Sequence, residues 1–174
     1  MEAHLIEGRI RDVPDFPKKG IVFKDITPLL QDPQSFAATI DRMAESASAH
    51  AFDLVCGIES RGFLFGAALA KELGKGFIPI RKPGKLPWKT ASESYELEYG
   101  ADTIEIHIDA APGGKRVLMV DDLLATGGTL GAAVQLVRNV GGMVCGAACI
   151  IELTFLGGRR RLDVPFTSLV QYDA

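Results

Sequence analysis

The sequence predicts an α/β fold, with a mostly parallel twisted sheet flanked by helices. Apolar runs of strand length alternate with amphipathic helical segments from about residue 34 to residue 151, an order typical of parallel strands joined by right-handed crossovers. The chain has 174 residues, 47% of them hydrophobic, which suits one well-buried domain rather than two. We therefore predict a single domain, 1–174, whose α/β core covers about residues 31–151.

Each element of this core follows from the spacing of its apolar residues. Phe36, Ile40 and Met43 fall on one face of the first core helix. The continuous apolar run over 117–120 suits a strand that is buried on both faces. On the same grounds we predict strands over 53–58, 77–80 and 143–151, and helices over 63–73 and 130–140. Gly74 stands where the helix 63–73 is expected to end.

Two parts of the chain break this alternation. Residues 91–109 contain two alternating runs, which predict a two-stranded antiparallel flap over about 88–110. A ribbon of two strands is only marginally stable by itself, so we expect the flap to be mobile and to act as a lid. Residues 1–30 and 152–174 are irregular in pattern and rich in Pro, Phe and charge. We expect these two segments to meet in space as a small hood added to the core.

Composition and charge argue against several classes of function. The net charge is −3, and basic residues cluster only at 81–85 and 159–161, so we expect no nucleic-acid partner. The N-terminal residues lack the features of a signal peptide, and no apolar run has the length of a membrane span. We therefore expect a cytoplasmic protein with no membrane partner. Cys56, Cys145 and Cys149 lie in apolar stretches and predict buried reduced thiols rather than disulfides or a metal site.

The most informative segment is 117–130, where a buried strand, two acidic residues, a glycine-rich turn and a helix start follow one another. Asp121 and Asp122 stand where the strand is expected to end, at the edge of an open α/β sheet where ligands bind. The turn consists of Ala125, Thr126, Gly127, Gly128 and Thr129. Its glycines allow close approach, and the helix that follows offers free N–H groups to a phosphate. Since carboxylates accept hydrogen bonds from sugar hydroxyls, the segment predicts a site for a phosphorylated sugar.

This turn differs from the two commonest phosphate-binding loops. It has no lysine after the glycines, as a P-loop requires, and it lacks the G-x-G-x-x-G pattern of dinucleotide-binding folds. The acidic pair ahead of the turn is the feature that neither of those loops provides.

Two further polar turns follow predicted strands. In the first, Ser60, Arg61 and the early N–H groups of the next helix offer a site for a second anion. Ser60 taken alone is equally compatible with an ordinary helix cap. The second turn gathers the cations Arg81, Lys82 and Lys85. Such a run is often a solvated loop, but its place in the order of elements puts it at the same edge of the sheet, where it suits a pyrophosphate.

The segment 117–130 resembles the motif with which type I phosphoribosyltransferases bind PRPP, the 5-phosphoribosyl pyrophosphate donor. Nearly the whole chain is similar to one family among them, the adenine phosphoribosyltransferases. The other similar segments are 15–17, 20–26, 60–66, 80–82, 84–87, 94–95, 97–100 and 152–154. The PRPP motif identifies only the superfamily, whereas the segments near the two chain ends and in the flap point to adenine as the base. The resemblance implies the type I phosphoribosyltransferase fold.

The resemblance also implies a reaction and a division of labour. Adenine and PRPP would give AMP and pyrophosphate, with Mg²⁺ held mainly through PRPP and pyrophosphate, in a homodimer. Ribose hydroxyls would be bound by Asp121 and Asp122, and the 5′-phosphate by 125–129. Pyrophosphate would be bound by Ser60, Arg61, Arg81, Lys82 and Lys85. Adenine would be bound by Val22, Phe23, Lys24 and Leu153. Arg61 would stabilise charge on the leaving group.

The flap residue Glu98 would be the general acid or base at the adenine ring, with Tyr99 beside it. On sequence alone, Glu98 is equally an exposed strand carboxylate and Phe23 equally a core residue. Many relatives carry Arg where this chain has Lys24, which lacks the planar fork of a guanidinium. Two other functions stay open: a phosphoribosyltransferase for hypoxanthine or xanthine, and a PRPP-sensing regulator of the same fold. The chain has little room for the DNA-binding module of such a regulator.

Overall fold

We describe the fold from a computed structural model, in which residues 3–97 and 100–174 are described. The chain divides into two compact units, Met1–Arg42 and Met43–Ala174. Within 3–97 and 100–174 we find no helix that could span a membrane. The three thiols are free, with Cys56 and Cys149 buried and Cys145 partly buried.

The first unit is built from short elements. It contains helices α1 (Ala3–Glu7) and α2 (Thr27–Gln31), strands β1 (Arg11–Pro14) and β2 (Val22–Asp25), and the beginning of helix α3 (Pro33–Ala47). β1 and β2 pair antiparallel with Arg11 opposite Asp25, and the Arg11 guanidinium donates to that carboxylate at 2.6 Å. The irregular sequence pattern of residues 1–30 did not predict this antiparallel pair of strands. On the predicted face of α3, Ile40 and Met43 are buried and Phe36 is half-buried.

The second unit carries the main sheet. Its strands are β3 (Leu54–Ile58), β4 (Gly76–Ile80), β5 (Thr90–Glu96), β6 (Ala101–His107), β7 (Arg116–Leu124), β8 (Met143–Leu153) and β9 (Phe166–Tyr172). Five of them form one sheet in the order β4-β3-β7-β8-β9, with every neighbouring pair parallel. The predicted strand over 117–120 lies at the centre of this sheet, and its four apolar residues are fully buried. The mostly parallel sheet is confirmed.

Two helices flank this sheet on opposite faces, α4 (Arg61–Glu72) and α5 (Gly128–Asn139). α5 packs into the core with Cys56 and Ile58 of β3. Gly66 of α4 lies against Gly57, whose position in β3 alternates with those two residues and so faces the other side. A Cβ on Gly66 would stand 2.9 Å from the Phe77 ring. The absence of that atom lets α4 lie close to the sheet.

Two predicted boundaries of the sheet are wrong. Phe166–Tyr172, which we predict to lie in the hood outside the α/β core, is the edge strand β9 and pairs in parallel with β8. Its mixed polar and apolar sequence suits an edge, where one side of the strand is not covered by a neighbour. β7 also does not end before Asp121. Its pairing with β8 continues as far as Leu124, opposite Glu152, so the acidic pair lies within the strand.

β5 and β6 form the predicted antiparallel flap. Ile104 and Ile106 of β6 are buried and belong to the hydrophobic core, and Arg81 exchanges two backbone hydrogen bonds with Glu105. The expectation of an isolated, mobile ribbon is therefore wrong for the base of the flap, because its apolar face is packed. Glu98 and Tyr99, to which we assigned roles in the flap, lie outside the described residues.

Candidate active site

A cavity of about 640 Å³ lies where β7 ends and the chain enters α5. This is the carboxyl edge of the parallel sheet, the usual ligand site of open α/β folds. Its lining consists of Glu59, Ser60, Arg61, Lys82, Tyr95, Leu97, Asp102 and residues 121–130. The cavity thus brings together the acidic pair, the whole turn 125–129 and three of the five residues predicted for pyrophosphate.

The turn 125–129, which we call the phosphate loop, has the geometry of an anion site. Gly127 has a φ of 85° and α5 begins at the next residue, so the first N–H groups of the helix lie at the cavity. A left-handed φ is unfavourable for any residue with a Cβ, which accounts for glycine at this position. Free N–H groups and the positive end of the helix dipole together favour a phosphate.

The acidic pair occupies two different environments. Asp122 is buried, and its Oδ2 atom lies 2.9 Å from Arg61 Nε. Asp121 is half-buried, and its Oδ1 atom accepts the N–H of Asp122 at 2.9 Å. Desolvation and then the charge of Asp122 raise the pKa of Asp121 well above its ordinary value. The two adjacent carboxylates are therefore an unfavourable arrangement by themselves, which is typical of a functional site.

The backbone of α4 makes room for Asp121. A Cβ on Gly62 would stand 2.8 Å from Asp121 Oδ1 and 3.1 Å from the carbonyl oxygen of Val120. At the start of α4, Arg61 therefore pairs with Asp122, and Gly62 leaves space for the carboxylate of Asp121. The peptide bond between Glu59 and Ser60, just before α4, is cis.

The turn before α4 does not use Ser60 as a helix cap. The Ser60 side chain makes no capping hydrogen bond and is exposed at the cavity. The sequence predicts no role for Glu59 in this turn. Its carboxylate accepts a hydrogen bond from Arg81 Nη2 at 3.1 Å and another from the Lys82 amide at 2.8 Å. The hydrogen bond from Arg81 lowers the pKa of Glu59 against the opposing effect of burial. The signal available in the sequence was an acidic residue directly after one predicted strand, β3, and a run of cations directly after the next, β4.

The cations of the basic turn, residues 81–85, have different partners. Arg81 is directed to Glu59 and also donates to the Lys85 carbonyl at 3.2 Å, and neither Arg81 nor Lys85 lines the cavity. Lys82 does line it, and its ammonium group pairs with Asp102 of β6. Tyr95 of β5 donates to the same carboxylate at 3.1 Å. The structure therefore places Lys82 between the cavity and the flap, which sequence patterns did not indicate.

Comparison with known proteins decides the family. The chain matches the family described as the phosphoribosyl transferase domain over residues 28–167. An adenine phosphoribosyltransferase of Shewanella piezotolerans is 55% identical over 172 residues, which cover 97% of this chain and 94% of that protein. This chain belongs to the adenine phosphoribosyltransferase family.

Solved structures of adenine phosphoribosyltransferases have the same fold. The protein from Thermoanaerobacter pseudethanolicus aligns with a TM-score of 0.95 and 53% identity, over 98% of this chain and 99% of that one. The Saccharomyces cerevisiae protein, complexed with adenine and an imino-altritol bisphosphate, aligns with a TM-score of 0.91 and 40% identity, over 97% and 98%. The Trypanosoma brucei protein, complexed with AMP, pyrophosphate and ribose-5-phosphate, aligns with a TM-score of 0.89 and 27% identity, over 98% and 79%. The type I phosphoribosyltransferase fold is confirmed.

The residues that family resemblance assigns to adenine lie on two elements. Val22, Phe23 and Lys24 form most of β2 in the first unit. Lys24 Nζ lies 2.6 Å from Asp12 Oδ1, and the Phe23 ring meets the Phe16 ring edge to face at 5.2 Å. Leu153 is the last residue of β8 in the second unit. The assignment of these four residues to the base stays a prediction.

Proposed function

We propose that this protein transfers the 5-phosphoribosyl group of PRPP to adenine and releases AMP and pyrophosphate. The observation that carries this proposal is that one cavity is lined by two carboxylates, a glycine-rich turn at a helix start and an arginine. Asp121 and Asp122 offer acceptors for the ribose hydroxyls, the phosphate loop offers N–H donors for the 5′-phosphate, and Arg61 offers a cation for the pyrophosphate. The names of the relatives supply the base, adenine.

The reaction breaks the bond between ribose C1 and a pyrophosphate oxygen, whose electron pair leaves with the pyrophosphate, while adenine N9 bonds to C1 and the adenine ring gives up its N–H proton. Negative charge collects on the leaving pyrophosphate, and Ser60, Arg61 and Lys82, which line the cavity, would stabilise it. Positive charge develops on the ribose ring, close to the carboxylates that hold its hydroxyls. We propose that Arg81 and Lys85 act at longer range, with Arg81 also holding Glu59 and thereby the turn before α4.

The donor set of the cavity also fits Mg²⁺. Mg²⁺ keeps much of its water and binds one or two carboxylates together with substrate phosphates. We propose that Asp121 and Asp122 hold the hydrated ion jointly with PRPP. Within 3–97 and 100–174, no group of three or more His, Cys, Asp or Glu side chains forms a separate cage for a metal. The bound ion would supply charge neutralisation to the pyrophosphate.

A panel of bases tests the proposal. Purified protein with PRPP and Mg²⁺ should form AMP from adenine, while hypoxanthine, guanine and xanthine should give much slower turnover, as measured by chromatography of the nucleotide products. Turnover on hypoxanthine or xanthine but not on adenine would refute the assignment of the base. Absence of turnover on every base, together with a PRPP-dependent mobility shift on nucleic acid, would favour a PRPP-sensing regulator instead.

For the adenine end of the site we propose binding by Val22, Phe23, Lys24 and Leu153, with Glu98 as the general acid or base and Tyr99 as its neighbour in the flap. Glu98→Gln should then lower kcat about 100-fold or more, because general acid–base groups typically contribute that much. The KM for PRPP should change little, since the flap carboxylate would act at the base. Steady-state kinetics measure both, and an unchanged kcat would leave Glu98 without a role in catalysis.

Lys82 provides a second prediction about this site. Its ammonium group is held by Asp102, and the hydrogen bond from Lys82 lowers the pKa of the Asp102 carboxyl. A pyrophosphate oxygen has to compete with that carboxylate. Asp102→Asn should therefore strengthen inhibition by pyrophosphate by roughly fivefold, about 1 kcal/mol. Asp109→Asn, an exposed site just beyond β6, is the matched control. Unchanged or weaker inhibition in Asp102→Asn would contradict the competition.

We also propose that the protein works as a homodimer in the cytoplasm. Three free thiols suit a reducing compartment. Leu64, Trp88 and Ile108 of the second unit are large apolar residues that are 44–52% exposed and are candidates for an interface. Light scattering coupled to size-exclusion chromatography measures the oligomeric state directly.

A further inference from the structure

The phosphate loop rests on the backbone of a second segment, the 3₁₀ turn Gly158–Arg161. A Cβ on Gly158 would overlap the Ala125 carbonyl oxygen and would stand 2.9 Å from the Gly127 amide nitrogen. A Cβ built on Gly127 would stand 2.6 Å from the Gly158 carbonyl oxygen. These distances are far below van der Waals contact, so the two glycines allow the backbones to approach where side chains would force them apart.

An ion pair fixes the residue next to Gly158. Arg159 Nε and Nη2 donate to Oε1 and Oε2 of Glu152 at 2.9 and 2.6 Å, which is the bidentate geometry. The same guanidinium donates to the Phe166 carbonyl at 2.9 Å and lies 4.7 Å from the centroid of that ring. Ser168 Oγ also donates to Glu152 Oε2, at 2.7 Å. These contacts hold Arg159 against β8 and β9.

Glu152 is in turn tied to the strand that carries the phosphate loop. It is only 3% exposed and stands opposite Leu124, the last residue of β7. The hydrogen bond from Arg159 lowers the pKa of Glu152 against the effect of burial, so the carboxylate stays charged at neutral pH. Only the carboxylate of this pair is buried, because the Arg159 side chain is 46% exposed, and an ion pair that is open to solvent on one side contributes little to stability. The position of the Glu152–Arg159 pair beside the phosphate loop therefore indicates that the pair holds the loop in shape.

We propose that Glu152 and Arg159 are positioning residues for the phosphate loop. They hold Gly158 against Ala125 and Gly127, so that the loop presents its N–H groups to a phosphate without first having to be ordered. This inference rests on the proposed function for the identity of the ligand, the 5′-phosphate of PRPP and AMP. Because preorganisation lowers the cost of binding, loss of the ion pair should weaken phosphate binding and leave contacts with the base unchanged.

Binding of AMP and adenosine separates these two contributions. In Arg159→Ala, calorimetry should give an AMP dissociation constant about tenfold higher than wild type and an adenosine constant within about twofold of it. Arg160→Ala, an exposed arginine in the same turn, is the matched control and should bind both ligands like wild type. Arg159→Lys should lie between, because one charge remains but the bidentate fork is lost. Equal losses for AMP and adenosine, or no loss for AMP, would overturn the proposal.

A glycine pair tests the loop contact itself. Gly158→Ala should show the same selective loss of AMP affinity, whereas Gly131→Ala on α5, where a Cβ meets nothing within 4 Å, should bind AMP normally. If Gly158→Ala does not fold, the Arg159 variants still decide the question, with their thermal melting recorded beside the binding data.

The same measurements distinguish this inference from the proposed function. Wild-type protein that binds AMP more tightly than adenosine but makes no AMP from adenine and PRPP would refute the function alone. Wild-type protein that makes AMP, with an Arg159→Ala variant that keeps the wild-type preference for AMP over adenosine, would refute the inference alone. A wild-type protein with no preference for AMP would refute both.

Discussion

Arg61→Ala is expected to lower kcat with adenine and PRPP about 100- to 1000-fold, the loss typical when one preorganised donor is removed from a charged transition state. Arg61 lies at the cavity, and its Nε atom is 2.9 Å from Asp122 Oδ2. The truncation would remove a cation from the leaving pyrophosphate and also leave the acidic pair without its nearest positive charge. Steady-state kinetics with both substrates measure the effect.

Two further variants make this result specific. Arg61→Lys keeps the charge but loses the planar fork, so it should recover part of kcat if charge alone is used and little of it if bidentate contacts are needed. Arg138→Ala is the control, because Arg138 is 35% exposed and ion-paired at 2.8 Å to Asp163, much as Arg61 is 36% exposed and paired with Asp122. A kcat in Arg61→Ala within a few-fold of the Arg138→Ala value would contradict the assigned role.

The part of this site that is contiguous in the chain could be placed from sequence in full, whereas only Ser60, Arg61 and Lys82 of the five residues predicted for pyrophosphate line the cavity. The strand over 117–120, the acidic pair and the glycine turn form one run of residues, and the cavity contains all of its polar members. These residues could be placed from the sequence because the features that position them are local properties of the chain. A buried apolar run, a glycine with a φ of 85° and a helix start are local features, and local features leave a signature in the sequence.

Contacts between distant segments left no such signature. Asp102 reaches Lys82 across 20 residues, and Gly158 packs on Gly127 across a helix and a strand. Each of these residues is ordinary in its own segment, since an Asp in an alternating ribbon and a Gly in a turn are both common. The edge strand β9 was missed for a related reason. Its polar residues match the pattern of an irregular terminus until β8 supplies its hydrogen bonds.

The acidic pair leads to the second large effect. Asp121→Asn and Asp122→Asn should each lower kcat/KM for PRPP by about 10- to 150-fold, because a hydrogen bond to a charged acceptor contributes roughly 1.5–3 kcal/mol. KM for adenine should change much less, since the carboxylates would contact the ribose. Unchanged saturation by PRPP in both variants would remove the ribose assignment. Asp163→Asn, remote in sequence and outside the cavity lining, serves as the control.

Stability should separate the two carboxylates. Burial and the charge of Asp122 raise the pKa of Asp121, so the folded protein binds that proton more tightly than the unfolded chain. The contribution of Asp121 to stability therefore falls as pH rises from the ordinary aspartate range towards the raised pKa. An amide in place of this carboxylate cannot titrate and can still accept the Asp122 N–H. Asp121→Asn should therefore melt at a higher temperature than wild type at neutral pH, with the difference shrinking in acid.

Asp122→Asn should shift the melting temperature in the opposite direction. Asp122 is 6% exposed, and its replacement leaves the Arg61 guanidinium beside a neutral amide instead of a carboxylate. Thermal melts of the two variants between about pH 4 and pH 8 measure both signs. A lower melting temperature for Asp121→Asn at neutral pH would contradict the like-charge cost. We thus expect Asp121→Asn to be less active but more stable than wild type, and Asp122→Asn to be less active and less stable. Such a pair of outcomes indicates that the two carboxylates serve the binding of a ligand rather than the stability of the fold.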